Sequence, residues 1–208
     1  MDIGTSIIAV VGVIFAAGIR HVVRRARRAR LIREFVFPRG IERKVHAKYE
    51  HLGERDLVKV MNALRDYFLV CHDAGKRVVA MPSQVVDVAW HEFILHTRQY
   101  QQFCHAAFGR FLHHTPAEAM ASPTHAQDGI KRAWRLACAK DNIDRHQPTK
   151  LPLLFAIDGL LSIPDGFTYD LDCKGQPNRH CASHIGCGGG CSSGCSSDSS
   201  CSSGCGGD

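Results

Sequence analysis

The chain has 208 residues and a formal net charge of +6, and 45% of its residues are apolar. This length allows one ordinary domain with appendages. A nucleic-acid partner is not expected, because an arginine-rich topology signal accounts for the whole surplus of positive charge. That signal consists of Arg20, Arg24, Arg25, Arg27, Arg28, Arg30 and Arg33.

An apolar segment opens the chain. Residues 3–19, IGTSIIAVVGVIFAAGI, carry no charge, and residues 20–23 can extend the segment by snorkelling. We expect a transmembrane anchor over residues 1–23 and a basic juxtamembrane helix over residues 24–37. A cleaved signal peptide and a buried core helix are the alternatives, although the basic stretch that usually begins a signal peptide is missing. The arginines place the N-terminus outside and the rest in the cytoplasm, which predicts a single-pass protein of the bacterial inner membrane.

Helical periodicity dominates the next part of the chain, and strand patterns are almost absent. We therefore predict an all-α fold, with a compact multi-helix bundle over residues 38–173. Pro38 and Gly40 should interrupt the first helix, and Ser83 should be the N-cap of a long helix ending before Gly109. The predicted helices cover about residues 41–51, 53–75, 84–108, 125–144 and 151–163.

The long helix carries the candidate site. His91-Glu92 followed by His96 resembles H-E-x-x-H, but its histidines are five residues apart and project about 140° apart on a straight helix. The simplest interpretation is structural, with Trp90 packed inward and Asp87 orienting His91. A functional interpretation joins Asp87 and His91 to one histidine of the pair at 113 and 114, a set suited to zinc or iron. The candidate ligands are Asp87, His91, His96, His113 and His114, with Cys71, His72 and His105 as further possible contributors.

The run AMPSQVVDVAWHEFILHTRQYQQFCHAAFGRFLHHTP, followed by RAWRLACAKDNID and LPLLFAIDGLL, resembles the bacterial glycine-rich domain-containing protein-like family over about residues 38–173. Its motif core here is Val86, Asp87, Trp90 and His91. That family is largely uncharacterised, so the resemblance implies no catalytic residues. Some plant relatives carry RNA-binding modules, which this chain lacks, and RNA binding is therefore not transferred to it.

Residues 174–208 are rich in Gly, Ser and Cys and are predicted to be a disordered tail. The dominant C-x3-C spacing is a weak motif, unlike the C-x2-C of zinc ribbons. The thiols could bind Zn(II) or Cu(I), could be incidental, or could form disulfides if the topology were reversed. These cysteines are Cys181, Cys187, Cys191, Cys195, Cys201 and Cys205, together with Cys173 just upstream of the tail.

Three hypotheses for function follow. The first is a membrane-held interaction or scaffold module with a protein partner. The sequence contains no complete catalytic motif, which is consistent with such a non-enzymatic role. The second is a metal-binding protein that uses Zn or Cu through the tail and the His/Asp residues. The third is a metal-dependent hydrolase, which requires converging ligands and an open coordination position.

Overall fold

The computed structural model describes the backbone of residues 3–114, 123–171, 180–181 and 185, and the side chains of residues 10–114, 127–171 and 185. The fold is all-helical apart from one parallel pairing of two-residue strands, β1 and β2. This confirms the predicted all-α class. In chain order the elements are α1 (Ile3–Glu34), α2 (Arg39–Lys48), α3 (Glu54–Ala74), α4 (Gln84–Leu95), α5 (Thr97–Phe108), α6 (Pro123–Lys140), α7 (Leu153–Leu160), β1 (Tyr169–Asp170) and β2 (His180–Cys181).

Helix α1 is one uninterrupted helix of 32 residues. It runs through the predicted boundary between anchor and juxtamembrane segment, and its side chains at residues 10–27 are exposed. No helix in the described part of the chain is both long enough and apolar enough to cross a membrane. The anchor predicted over residues 1–23 thus lacks support from the described helices and stays a prediction.

The end of α1 leads the chain into an aromatic core. Ile32 is fully buried, and the rings of Phe35 and Phe37 pack among those of α3, α4 and α5. The centroids of Phe35 and Phe103 are 4.6 Å apart, and those of Phe37 and Phe93 are 5.3 Å apart. Such contacts add to the free energy gained from burying the rings. Helix α3 lies at the centre, in contact with α1, α2, α4, α6 and α7.

The predicted long helix over residues 84–108 is wrong in one respect. The chain leaves helical geometry at His96 (φ −78°, ψ 57°), which separates α4 from α5. The imidazole of His96 lies against α2, where Nε2 is 3.3 Å from the position that a Cβ on Gly40 would occupy. Gly40, expected with Pro38 to interrupt the first helix, lies instead in the first turn of α2, and α1 already ends at Glu34. The break accompanies this tertiary contact, and no Gly or Pro near His96 signals it in the sequence.

Two side chains hold the N-terminus of α4. The Oγ of Ser83 accepts a hydrogen bond from the backbone N of Val86 at 3.2 Å, which confirms the predicted N-cap. The carboxylate of Asp158 on α7 is only 3% exposed. It accepts hydrogen bonds from Ser83 Oγ (2.7 Å) and from the backbone N of Gln84 (2.6 Å), Val85 (3.2 Å) and Phe167 (2.9 Å). We call this arrangement the Asp158 junction.

Part of the predicted tail is visible. Strand β2 pairs with β1, and the side chain of Ile185 packs against the core. Both lie within residues 174–208. The remaining tail cysteines fall outside the described residues, and only the backbone of Cys181 is described. The cysteines outside are Cys173, Cys187, Cys191, Cys195, Cys201 and Cys205.

Candidate metal centre

Asp87 and His91 lie one turn apart on the flank of α4. The core face of that helix buries Val86, Ala89, Trp90 and Phe93, and the inward packing of Trp90 confirms that prediction. The i to i+4 spacing brings Oδ2 of Asp87 within 3.3 Å of Nδ1 of His91. The Asp87 side chain is 21% exposed and that of His91 is 51% exposed. One turn of α4 thus presents a carboxylate and an imidazole at the surface.

The segment from residue 109 to residue 114 turns back toward this flank. Gly109 ends α5 in the left-handed conformation (φ 72°, ψ 12°), which glycine adopts without strain. The hydroxyl of Tyr100 donates to the carbonyl O of Leu112 at 2.5 Å and accepts from Nε1 of Trp90 at 3.0 Å. Burial raises the pKa of Tyr100, so its hydroxyl keeps the proton that it donates. A relay of hydrogen bonds between buried side chains therefore fixes the segment against α4.

His114 completes the group. Its ring lies 4.4 Å from the ring of Trp90 and 4.2 Å from that of His91, centroid to centroid. Its Nε2 is 2.8 Å from Oδ1 of Asp87. One ligand atom from each of Asp87, His91 and His114 lies within 4.8 Å of the other two. We call these three residues the Asp87 cluster.

Two predicted ligands lie outside this cluster. His96 contacts Gly40 on α2. His113 is exposed, and its ring lies 4.8 Å from that of Phe111. Of the pair at 113 and 114, the structure brings only His114 to Asp87, a choice that the sequence left open.

The further possible contributors also lie elsewhere. Burial raises the pKa of the Cys71 thiol to about 12, which keeps it neutral and a poor metal ligand at neutral pH. Nδ1 of His72 lies 3.1 Å from Oδ1 of Asp73. His105 is exposed on α5.

The Asp87 cluster allows two kinds of chemistry. As a hydrogen-bonded group, it fixes residues 109–114 onto α4, because Nε2 of His114 can donate to the carboxylate of Asp87. As a ligand set, two imidazoles and one carboxylate suit a divalent transition metal.

Sequence reasoning missed the Trp90–Tyr100–Leu112 relay and the role of Asp158. Each depends on hydrogen bonds between residues that are far apart in the sequence, for which no local pattern exists.

Comparisons with known proteins give one match. A family model described as UCP032817-like matches residues 27–190, which is well over half of the chain. No curated protein and no solved structure matches. The matched range contains the whole Asp87 cluster and leaves out residues 3–26 of α1. It gives no support to a relation with glycine-rich domain-containing proteins.

Proposed function

The chain belongs to the UCP032817-like family, and we propose that this member is a single-pass protein of the bacterial inner membrane. In this proposal residues 3–23 form the anchor, and the helical domain is an interaction or scaffold module that recruits a protein partner in the cytoplasm. One observation carries the proposal: the side chains of residues 10–23 of α1 are exposed and mostly apolar, whereas Ala29, Leu31 and Ile32 near its C-terminus are packed into the domain.

The outer half of α1 is apolar on every side. Its large apolar side chains between residues 10 and 23 are 41–70% exposed. At about 100° per residue they are spread around the whole circumference of the helix. A helix that is apolar all round suits a fully apolar environment and not contact with one face of a protein. These side chains are Val10, Val11, Val13, Ile14, Phe15, Ile19, Val22 and Val23.

The inner half of α1 is basic and joined to the domain. Nη2 of Arg25 donates to Oδ1 of Asp73 at 3.0 Å, and Nη1 of Arg28 donates to the carbonyl O of Phe108 at 3.3 Å. The guanidinium groups of Arg24 and Arg27 are exposed. Arginines on the cytoplasmic side of an anchor favour this orientation and interact with anionic headgroups.

Membrane fractionation tests the anchor. The full chain, expressed in a bacterium, should stay in the membrane pellet after an alkaline carbonate wash. The double substitution Val13→Lys/Ile14→Lys should move it to the soluble fraction, because each lysine near the centre of a span costs about 2.5–3.5 kcal/mol. Val36→Lys is the matched control, since Val36 is also an exposed valine but lies beyond α1.

The proposal fails if carbonate releases the unsubstituted chain, or if the double variant stays in the pellet as the Val36→Lys variant does. Orientation is tested with alkaline phosphatase fused to the C-terminus, which is active only outside the cytoplasm. We expect an inactive fusion. An active one would contradict the cytoplasmic placement of the domain.

Metal binding is the second candidate function, favoured by the convergence of Asp87, His91 and His114. Zn is the metal best suited to this ligand set, and Zn or Cu to the tail thiols. A metal-dependent hydrolase is the third candidate, because three protein ligands with one open position are typical of catalytic zinc sites. A relation to the glycine-rich domain-containing proteins stays a prediction.

A further inference from the structure

We infer that Asp87, His91 and His114 bind one divalent transition-metal ion of the zinc(II) or iron(II) class and leave a coordination position open to solvent. This inference deepens the metal-binding alternative and does not depend on the membrane anchor. In a tetrahedral site with bonds of about 2.0–2.1 Å, the ligand atoms are about 3.3 Å apart. Oδ1 of Asp87 lies 2.8 Å from Nε2 of His114, and its other oxygen, Oδ2, lies 3.3 Å from Nδ1 of His91. One ligand atom from each of the three residues lies within 4.8 Å of the other two, so the side chains need to rotate to bring all three atoms to the distances of one coordinated ion.

The ligands come from positions that the fold holds firmly. Asp87 and His91 project from one turn of α4, whose N-terminus is fixed by the Asp158 junction. His114 follows Leu112, whose carbonyl accepts from Tyr100, and its ring packs edge-on against Trp90. In metal sites, packing and hydrogen bonds from neighbouring groups usually hold the ligands in place.

Binding exchanges a proton for the ion. With Asp87 ionised, the 2.8 Å contact needs a proton on Nε2 of His114, which donates it to Oδ1. An ion coordinated by that nitrogen takes the place of this proton, which another atom of the ring or the solvent accepts. The carboxylate then offsets one positive charge of the ion. The side chain of His91 is half exposed, so water can reach the remaining coordination position.

Quenching of tryptophan fluorescence by Co²⁺ tests the site. The chain has two tryptophans, and the Trp90 ring lies 4.4 Å from that of His114. In a Trp134→Phe background, Co²⁺ in the cluster should quench the Trp90 emission, and Zn²⁺ should displace it and restore the emission. Fe²⁺ added without oxygen should compete as well, whereas Mg²⁺ and Ca²⁺ should not, because they prefer oxygen ligands. The full-length chain is used in detergent with a non-thiol reductant.

His114→Gln is the decisive variant, and His113→Gln is its matched control. Glutamine at position 114 keeps an N–H that can donate to Asp87, but it is a poor ligand for these ions. We expect the half-quenching Co²⁺ concentration to rise at least about 100-fold, the upper end of the loss seen when a supporting residue is removed. His113→Gln should behave as the parent, because His113 lies outside the cluster. Metal held by the tail thiols would be equal in both variants.

Two results would overturn the inference. One is coincident titration curves for His114→Gln and His113→Gln. The other is a parent chain whose emission does not respond to Co²⁺, which would leave the cluster as a hydrogen-bonded support. If His114→Gln does not fold, as judged by far-UV circular dichroism, the comparison is made with His91→Gln, whose half-exposed side chain is less needed for packing. Failure of the membrane test would leave these outcomes unchanged.

Discussion

Two aspartates at α4 have different kinds of partner: Asp158 mainly has backbone N–H groups, whereas Asp87 has imidazoles. Asp158 accepts hydrogen bonds from one hydroxyl and three backbone N–H groups, and it is almost fully buried. Asp87 faces two imidazoles near the surface. Backbone donors cannot leave or change charge, whereas imidazoles can rotate, titrate and bind metals. The partners of a carboxylate, more than its place on a helix, therefore decide whether its role is structural or chemical.

The largest effect is expected at the Asp158 junction. Asp158→Ala should lower the free energy of unfolding by about 3–5 kcal/mol, because two buried and two partly buried donors lose a charged acceptor. Urea denaturation followed by circular dichroism measures this. Asp165→Ala is the control, since that aspartate pairs with Lys48 at the surface and should contribute less than about 1 kcal/mol. Equal losses of unfolding free energy for the two variants would contradict the structural role assigned to Asp158.

Tyr100→Phe should have an intermediate effect that reaches the cluster but not the junction. It removes the hydroxyl that bonds Trp90 and Leu112, at a cost of about 1–3 kcal/mol. It should also weaken Co²⁺ binding, because the segment carrying His114 is no longer fixed. Tyr49→Phe is the matched control: it removes a hydroxyl that donates to Asp165 and should leave the Co²⁺ titration unchanged.

Asp87→Asn should show a profile opposite to that of Asp158→Ala. We expect at most about 1 kcal/mol loss in the free energy of unfolding, since its partners are partly exposed side chains. Loss of Co²⁺ binding should accompany this small change, as measured by quenching of Trp90. A stability loss as large as that of Asp158→Ala would show that the cluster is mainly structural and would remove the contrast.

The smallest effect concerns Asp73, a third carboxylate that joins α1 to α3. The hydrogen bond from His72 lowers the pKa of Asp73 below its ordinary value. Burial opposes this shift, and the hydrogen bond from Arg25 adds to it. Because the folded-state pKa is lowered, its stabilisation is complete above the unfolded-state value and is lost as the pH falls through the folded-state value. The stability difference between the parent and Asp73→Asn, under about 1 kcal/mol for so exposed a pair, should disappear below that pKa. Urea melts at pH 6 and at successive values below pH 4 check this, and a difference that grows on acidification would contradict it.

The sequence predicted the helices better than the contacts between them. Helical periodicity located α3 and α7. Ser83 correctly predicted the start of α4, and Gly109 correctly predicted the end of α5. The break at His96 was missed, because it accompanies packing on α2 and has no local signal. The helical spacing of Asp87 and His91 was readable, because both lie on one turn. The choice of His114 over His113 was not readable, because it depends on how Tyr100 fixes a loop.

Because α1 is one unbroken helix, it would restrict the orientation of the domain relative to a membrane. The proposed anchor ends at residue 23, and Arg25 already donates a hydrogen bond to Asp73 of the domain. At about 1.5 Å per residue, only about 3 Å of helix separates them. The tilt of α1 would then set the tilt of the whole domain, and the end bearing Asp73 and Gly109 would lie nearest the lipid. In the proposed tethered state, any cytoplasmic partner would meet the domain at one height and one angle.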